Sequence, residues 1–165
     1  MATIVSERHR GWRVPRRCRR YDHPMASRPS DKWRAETELE AAELAAGTRS
    51  PDQAYAAVLW PESLITSTDA ALAAFEAELA MLLSVSESTP DDKDVLAVVR
   101  SAVLALNAIN DQHERTSRTG YETGEREDLC GYIDATLTES GIDVAALALR
   151  NGKEPGELIG EWRTW

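Results

Sequence analysis

The side chains best suited to chemistry lie at the end of the longest apolar helical pattern in the chain. Asn110 and His113 precede a polar loop, and Tyr121 and Glu125 follow it. An imidazole beside a carboxylate can exchange a proton with a ligand, while amide and phenol groups can fix the ligand's orientation. These residues indicate one candidate function, a small-ligand binder or an enzyme with its pocket near His113. The competing interpretation is a solvated helix end with a flexible loop, where His113 favours the negative pole of the helix.

Known metal and catalytic patterns do not fit this region. A zinc-protease helix needs two histidines one turn apart, and Ser117 stands where the second would be. A calcium loop from Asp111 to Glu122 fails because Arg115 occupies a ligand position. The chain also contains no glycine-rich phosphate loop and no nucleophile elbow. The sequence therefore predicts no catalytic set, no metal and no cofactor.

Three further residues have both a structural and a functional interpretation. Cys130 lies among apolar helix positions and close to acidic residues, which favours core packing over a reactive thiolate. Trp162 and Trp165 are near the C-terminus, and each can bury roughly 200 Å². They either fasten the tail to the domain or anchor a partner. The candidate binding residues are therefore Asn110, His113, Tyr121, Glu125, Trp162 and Trp165.

Charge is distributed unevenly along the 165 residues. Residues 1–24 have a net charge of +5, and residues 25–165 have a net charge of −14. An acidic body repels nucleic-acid phosphates and attracts basic surfaces. A helix-turn-helix outline within residues 144–162 does not alter this, because its second helix would present mainly glutamates to DNA. We predict a protein partner with a basic surface and no nucleic-acid binding by the body.

Residues 1–29 are rich in arginine and proline and show no helical or strand period, which predicts a disordered arm. Three interpretations are open: a nucleic-acid or membrane-surface tether, a segment that folds back on the acidic body, or sequence upstream of a natural start at Met25. Residues 30–165 form the predicted domain. Two cysteines without a disulfide framework, and no apolar run of secretory or membrane-spanning length, predict a cytoplasmic protein.

The element that positions the candidate residues is an amphipathic helix over residues 91–112. Seven apolar residues from Val95 to Ile109 recur at spacings of three and four, which places a broad apolar band along one side. Thr89 and Pro90 suit the N-cap and the first helical position. We predict that this segment is the central helix of the domain.

Shorter helical patterns lie on both sides of the central helix. An outer helix is predicted over residues 31–46, and a clean apolar stripe predicts the main partner of the central helix over residues 69–83. After a polar loop, another helix begins at Thr123 or Gly124, and Asp143 caps a short last helix. Since no segment alternates apolar and polar residues over strand length, the predicted fold is an all-α, single-domain bundle of five or six helices.

The region between residues 50 and 76 gives more detailed expectations. Residues 50–53 match a capping box with Pro51 at the first helical position, which predicts that a short helix opens there. Leu64 and Ile65 are predicted to fill the core from a connecting turn, and Glu76 is predicted to point away from the core. Three apolar residues of the short helix are predicted to face inward: Tyr55, Val58 and Leu59.

Several stretches of the chain are similar to a group of bacterial proteins. They are WRAETELEAAELAAG, DQAYAAVLWPESL, VLALNAIND, YETGEREDLCGYID and the ending EWRTW. These stretches resemble small, acidic, uncharacterised helical proteins of Streptomyces-like actinobacteria, and the resemblance covers about residues 31–165. It implies a helical fold, and it brings no activity and no site residues. Immunity proteins, which neutralise toxin domains, are analogous only in size and charge.

The leading functional hypothesis follows from charge. We predict a non-enzymatic binding protein, of the immunity or antitoxin-like inhibitor kind, that presents an acidic surface to a basic protein partner. Charge complementarity would mainly speed the encounter, and an aromatic residue would anchor the contact. The alternatives are the small-ligand binder or enzyme near His113 and a nucleic-acid-associated regulator that uses the arginine-rich arm.

Overall fold

The computed structural model describes residues 26–86, 89–154 and 156–165. Within these ranges the chain forms six α-helices and one 3-10 turn and contains no strand, which confirms the all-α class. Most of the predicted arm, residues 1–25, lies outside the described residues. The elements are α1 (Pro29–Ala45), the 3-10 turn (Pro51–Gln53), α2 (Ala56–Leu59), α3 (Glu62–Val85), α4 (Asp92–Ser117), α5 (Thr123–Glu139) and α6 (Val144–Arg150).

The core of the bundle is built on α3 and α4, which form the most extensive helix pair. Their apolar stripes face each other, and each fully buried Leu, Val or Phe side chain contributes roughly 1.5–3 kcal/mol of hydrophobic stabilisation. This arrangement confirms the central helix and its main partner. The buried apolar residues of the pair are Leu64, Ile65, Leu72, Phe75, Leu79, Val95, Val99, Ala102, Val103 and Leu106.

Four helices begin at different residues from those predicted. Helix α1 begins at Pro29 and not at residue 31. Helix α2 begins at Ala56, because Ser50 makes no side-chain capping hydrogen bond and residues 51–53 form only a 3-10 turn.

The N-cap of α4 is Asp91 and not Thr89, so the helix starts after the proline between them. Helix α3 begins at Glu62, seven residues earlier than the apolar stripe suggested. Leu64 and Ile65 are fully buried, as predicted, but they lie in the first turn of α3 and not in a connecting turn. The reason is that their spacing continues the stripe of α3 towards its N-terminus.

The central helix also continues beyond its predicted end. It runs to Ser117, and Arg118 ends it in the left-handed conformation with φ 56°. Asn110 and His113 are polar but buried, and they continue the buried face of the helix. The predicted helix ended too early because its pattern was defined by apolar residues alone. The predicted polar loop is therefore shortened to residues 118–122, and His113 belongs to the helix.

The start of α1 is fastened to α3 by an ion-pair network around Arg28. The guanidinium donates two hydrogen bonds of 2.7 Å to Glu76 and one of 2.9 Å to Asp69. Tyr132 of α5 donates its hydroxyl to the same glutamate. The prediction that Glu76 points away from the core is wrong, because Arg28 supplies a counter-charge that the local pattern does not reveal. The packed part of the chain thus includes residues 26–29, which the sequence assigned to the arm.

Local signals place the end of α1, the two ends of α5 and the start of α6 correctly. Gly47 and Gly141 follow α1 and α5 with φ values of 69° and 85°, a conformation that glycine adopts without strain. Helix α5 begins at Thr123. Asp143 caps α6, where its carboxylate accepts a hydrogen bond of 2.9 Å from the backbone N–H of Ala146.

Candidate functional site

Five of the six candidate binding residues meet where α4 ends. All five side chains are buried, with 8% exposure or less. They pack around two further aromatic residues, one at the start of α1 and one before α3. We call this region the aromatic end. It consists of Trp33, Trp60, Asn110, His113, Tyr121, Glu125 and Trp165.

Aromatic rings form a continuous chain through the aromatic end. Trp33 stacks on Trp60 with the ring centroids 6.3 Å apart and the planes 6° from parallel. Tyr121 lies 6.1 Å from Trp33 and 5.7 Å from Trp165, and its ring is edge-on to Trp165. Such pairs stabilise by about 0.5–1.5 kcal/mol beyond the burial of area. The rings therefore hold α1, the loop after α4 and the C-terminal tail together.

Asn110 closes the loop between α4 and α5. Its Oδ1 accepts a hydrogen bond of 2.7 Å from the backbone N–H of Tyr121, and its Nδ2 donates to Glu114 at 2.9 Å. Gly120 passes so close that a Cβ there would lie 2.6 Å from the same Oδ1. The amide side chain therefore acts as a clamp on the loop backbone, since its oxygen and its nitrogen each make a hydrogen bond within the protein.

The remaining polar atoms of the aromatic end are only partly satisfied. The hydroxyl of Tyr121 shares a hydrogen bond of 2.7 Å with Thr68, and burial raises the pKa of this phenol above its usual range. Glu125 accepts a hydrogen bond of 2.9 Å from the indole N–H of Trp60. Among the described residues, no partner faces the second oxygen of Glu125, Nδ1 of His113 or Nε1 of Trp165. Buried groups without a partner lower stability. The aromatic end is nevertheless packed with the protein's own buried side chains, so its main effect is to hold the helices and the tail together.

Trp162 lies apart from the other five candidates. Its side chain is partly buried against the N-terminal part of α4, where it lines a groove with Leu96. Asn107 fixes the backbone just after Trp162, since its Nδ2 donates to the Trp162 carbonyl at 2.7 Å and its Oδ1 accepts from the Thr164 N–H at 3.2 Å. The tail is therefore held by one amide side chain of α4, and the two tryptophans predicted together occupy different environments.

Helix α2 presents its apolar side to solvent. Tyr55 is the N-cap residue just before the helix, and Val58 and Leu59 follow it at spacings of three and four. The three side chains are 60%, 64% and 38% exposed. We call these three residues the α2 face. The prediction that they point inward is wrong. Only Ala56 of this four-residue helix is buried.

The orientation of α2 is set by a carboxylate from α1. Glu40 accepts hydrogen bonds of 3.0 Å and 2.7 Å from the backbone N–H groups of Tyr55 and Ala56, the free donors at a helix start. Arg49 donates to the same carboxylate at 3.3 Å. Burial raises the pKa of Glu40, but these hydrogen bonds and the arginine outweigh it and lower the pKa overall. The contact fixes Ala56 towards α1, so the opposite side of α2 faces outward.

Exposed acidic residues lie on the elements next to the α2 face. Asp52 precedes it by three residues and Glu62 follows it by three, and both are exposed. Glu36 is exposed on the neighbouring helix α1. Arg49, the nearest cation along the chain, is engaged by Glu40 and Glu43. The α2 face is therefore an exposed apolar surface with acidic residues on the elements next to it, which is typical of an interface. The sequence pattern did not reveal this surface, because the spacing of its residues predicted that they point inward.

Similarity to known proteins, metal-binding clusters and membrane-spanning helices do not identify a function. The chain matches no protein family, no curated protein and no solved structure among those compared with it. Within the described ranges, no three His, Cys, Asp or Glu side chains come close enough to share a metal ion. No helix of these ranges combines the length and apolarity needed to cross a bilayer. The candidate sites are consequently defined by geometry alone.

Proposed function

We propose that the protein acts by binding a basic protein partner, as immunity or antitoxin-like inhibitors do, and that the α2 face lies in the contact. The single observation that carries this proposal is the exposure of Tyr55, Val58 and Leu59 on one side of a short helix. Single exposed apolar residues are common, whereas neighbouring ones with a polar surround are typical of interaction sites. The partner would offer an apolar pocket with lysine and arginine around it.

Charge supports the choice of a basic partner. Residues 25–165 have a net charge of −14, and exposed acids occur on every long helix as well as beside the α2 face. Long-range attraction of this kind raises the rate of encounter, while buried aromatic anchors determine how long the complex lasts. Tyr55 is the anchor we expect, because its ring combines a large apolar area with a hydroxyl that can bond at the rim.

Affinity capture from the native host tests the proposal. The bait is the full chain, compared with the variant Tyr55→Ser/Val58→Ser/Leu59→Ser and with a matched control, Met81→Ser/Val85→Ser, which removes two exposed apolar residues of α3. We expect a basic protein to be retained by the wild type and the control and to be lost with the α2 variant. The recovered pair should then form a 1:1 complex whose association rate falls as salt rises.

Three results would refute this function. The first is that the bait retains no protein at any salt concentration, the second is that the captured partner is acidic, and the third is that the wild type and the α2 variant capture the partner equally well. Turnover of a substrate by the purified chain would also exclude a purely binding role.

A further inference from the structure

A groove along the N-terminal part of α4 has the character of a separate small-molecule site. One side consists of Lys93, Leu96, Ala97 and Arg100, which follow each other at spacings of three and four and therefore lie on one side of the helix. The opposite side includes Trp162 of the tail. The groove is a largely open depression with a volume of about 520 Å³, and small-ligand pockets measure roughly 300–1,000 Å³.

The walls of the groove are held in place by contacts on both sides. The Trp162 carbonyl accepts a hydrogen bond of 2.7 Å from Asn107, and Lys153 lies 5.8 Å from the centre of the indole ring. Asn151, which also lines the groove, donates to the Leu147 carbonyl at 2.8 Å. A ligand would therefore meet a preformed apolar surface and would not have to order a loop, which favours binding.

The charge of the groove is opposite to that of the protein as a whole. Among the described residues, no carboxylate lies within 4 Å of Lys93 or Arg100. The one acid in the lining, Asp92, is bound by Arg150 through two hydrogen bonds of 2.7 and 2.8 Å and by Asn151 at 3.3 Å. The hydrogen bonds from Arg150 lower the pKa of Asp92, so it stays ionised and paired at neutral pH. Two unpaired cations thus remain above an apolar floor.

We propose that this groove binds a small amphipathic carboxylate, with its apolar body against Leu96, Ala97 and Trp162 and its charge between Lys93 and Arg100. Seven residues of helix place the two Cα atoms about 10.5 Å apart, a gap that their long side chains can close around one anion. An aromatic body suits the indole ring, and a carboxylate suits both a guanidinium and an ammonium group. This site does not depend on the proposed protein partner.

Isothermal titration of the full chain with 2-naphthoate tests the site. We expect a single site with a dissociation constant of roughly 0.1–1 mM, the range for a ligand of this size at ordinary efficiency. The neutral 2-naphthamide should bind at least about tenfold more weakly because it cannot pair with the cations. Octanoate, with an aliphatic body, shows whether the indole ring selects aromatic ligands.

Variants locate the binding. In Ala97→Glu, a carboxylate one turn from each cation should pair with Lys93 and Arg100 and abolish naphthoate binding while the helix is preserved. Lys93→Gln/Arg100→Gln should weaken it at least about tenfold. The matched control Arg115→Gln/Arg118→Gln removes two exposed cations from the other end of α4 and should leave the affinity unchanged. Absence of saturable heat with naphthoate, equal affinity for naphthamide, or unchanged binding by Ala97→Glu would overturn the proposal.

Discussion

The aromatic end and the α2 face are built from similar side chains but reach opposite environments. Both contain large aromatic or aliphatic side chains, which come from separate segments at the aromatic end and from five consecutive residues, 55–59, at the α2 face. At the aromatic end, α1, the loop after α4 and the C-terminal tail cover one another, and Tyr121 is 1% exposed. Helix α2 has only four residues, and its single buried residue, Ala56, is bound through its backbone N–H by Glu40 of α1. The comparison shows that periodicity indicates which residues share a side, while the number of elements packing there decides whether that side is buried.

Polar contacts also have different effects in the two regions. Asn110 binds the backbone of Tyr121 and thereby pulls an aromatic ring into the core. Glu40 binds backbone N–H groups at the start of α2 and leaves Tyr55, Val58 and Leu59 exposed, with the Tyr55 hydroxyl donating to the Asp52 carbonyl at 2.9 Å. A buried polar group can therefore either complete a hydrophobic region or set the direction in which an apolar surface faces solvent.

The largest effect should come from Trp33→Ala at the aromatic end. This side chain is 1% exposed and contacts both Trp60 and Tyr121, so its loss should lower the free energy of unfolding by about 3–5 kcal/mol. Urea denaturation followed by circular dichroism measures the change. Tyr55→Ala is the matched aromatic control and should cost little. A loss below about 1 kcal/mol for Trp33→Ala would show that the two regions are energetically equivalent.

The next effect is expected from Arg28→Met, which removes the network that fastens α1. The hydrogen bonds from Arg28 lower the pKa values of Glu76 and Asp69, and burial together with Glu76 raises the pKa of Tyr132 to about 12. The carboxylates are therefore ionised and paired at pH 7, and the substitution should cost about 1.5–3 kcal/mol there. Because a depressed pKa stabilises the fold only above the ordinary carboxyl value, this contribution is lost as pH falls below about 4.

Urea titrations of the wild type and Arg28→Met at a series of pH values test this dependence. The difference in free energy of unfolding should be constant between pH 6 and 8 and should narrow as the two carboxylates are protonated, below about pH 4. A difference that grows on acidification would contradict the assignment of the network.

A smaller effect is expected from Gly120→Ala, which disturbs the clamp on the loop. The added methyl group would lie 2.6 Å from Oδ1 of Asn110, so the amide must shift and weaken its bond to Tyr121. We expect a loss of about 1–2 kcal/mol. Gly131→Ala in α5 is the control, because its Cβ meets nothing within 4 Å, and the better helix propensity should stabilise by up to about 1 kcal/mol. Equal responses of the two variants would show that the loop is free to adjust.

The smallest change in stability should follow Tyr55→Ser/Val58→Ser/Leu59→Ser. These side chains are exposed, so the total change in the free energy of unfolding should stay within about 1 kcal/mol although three large apolar groups are removed. Thermal and urea denaturation give the value. A loss above about 3 kcal/mol would mean that the α2 face is part of the core and would remove the basis for a contact surface.

Much of the fold could be predicted from sequence because its signals are local. The starts of α5 and α6 and the stop after α1 depend on residues within one turn of the helix end, as the cap by Asp143 and the glycine at residue 47 illustrate. The polar candidates of the aromatic end were found because they lie in or beside a run of hydrogen-bonding residues at the end of the central apolar pattern. Their role could not be predicted from sequence, because segments distant in the chain determine whether a residue such as His113 contacts a ligand or is buried in the core.

The sequence by itself determined the helical class, the central position of α4 and the pairing of α4 with α3, since hydrophobic periodicity and helix caps act over a few residues. Only the tertiary structure decided that Glu76 faces Arg28, that α2 turns outward and that Trp162 closes a groove on α4. Each of these outcomes depends on a contact between residues far apart in the chain. A helical stripe does not specify its partner, so the direction of such a stripe follows from which other segments are available to cover it.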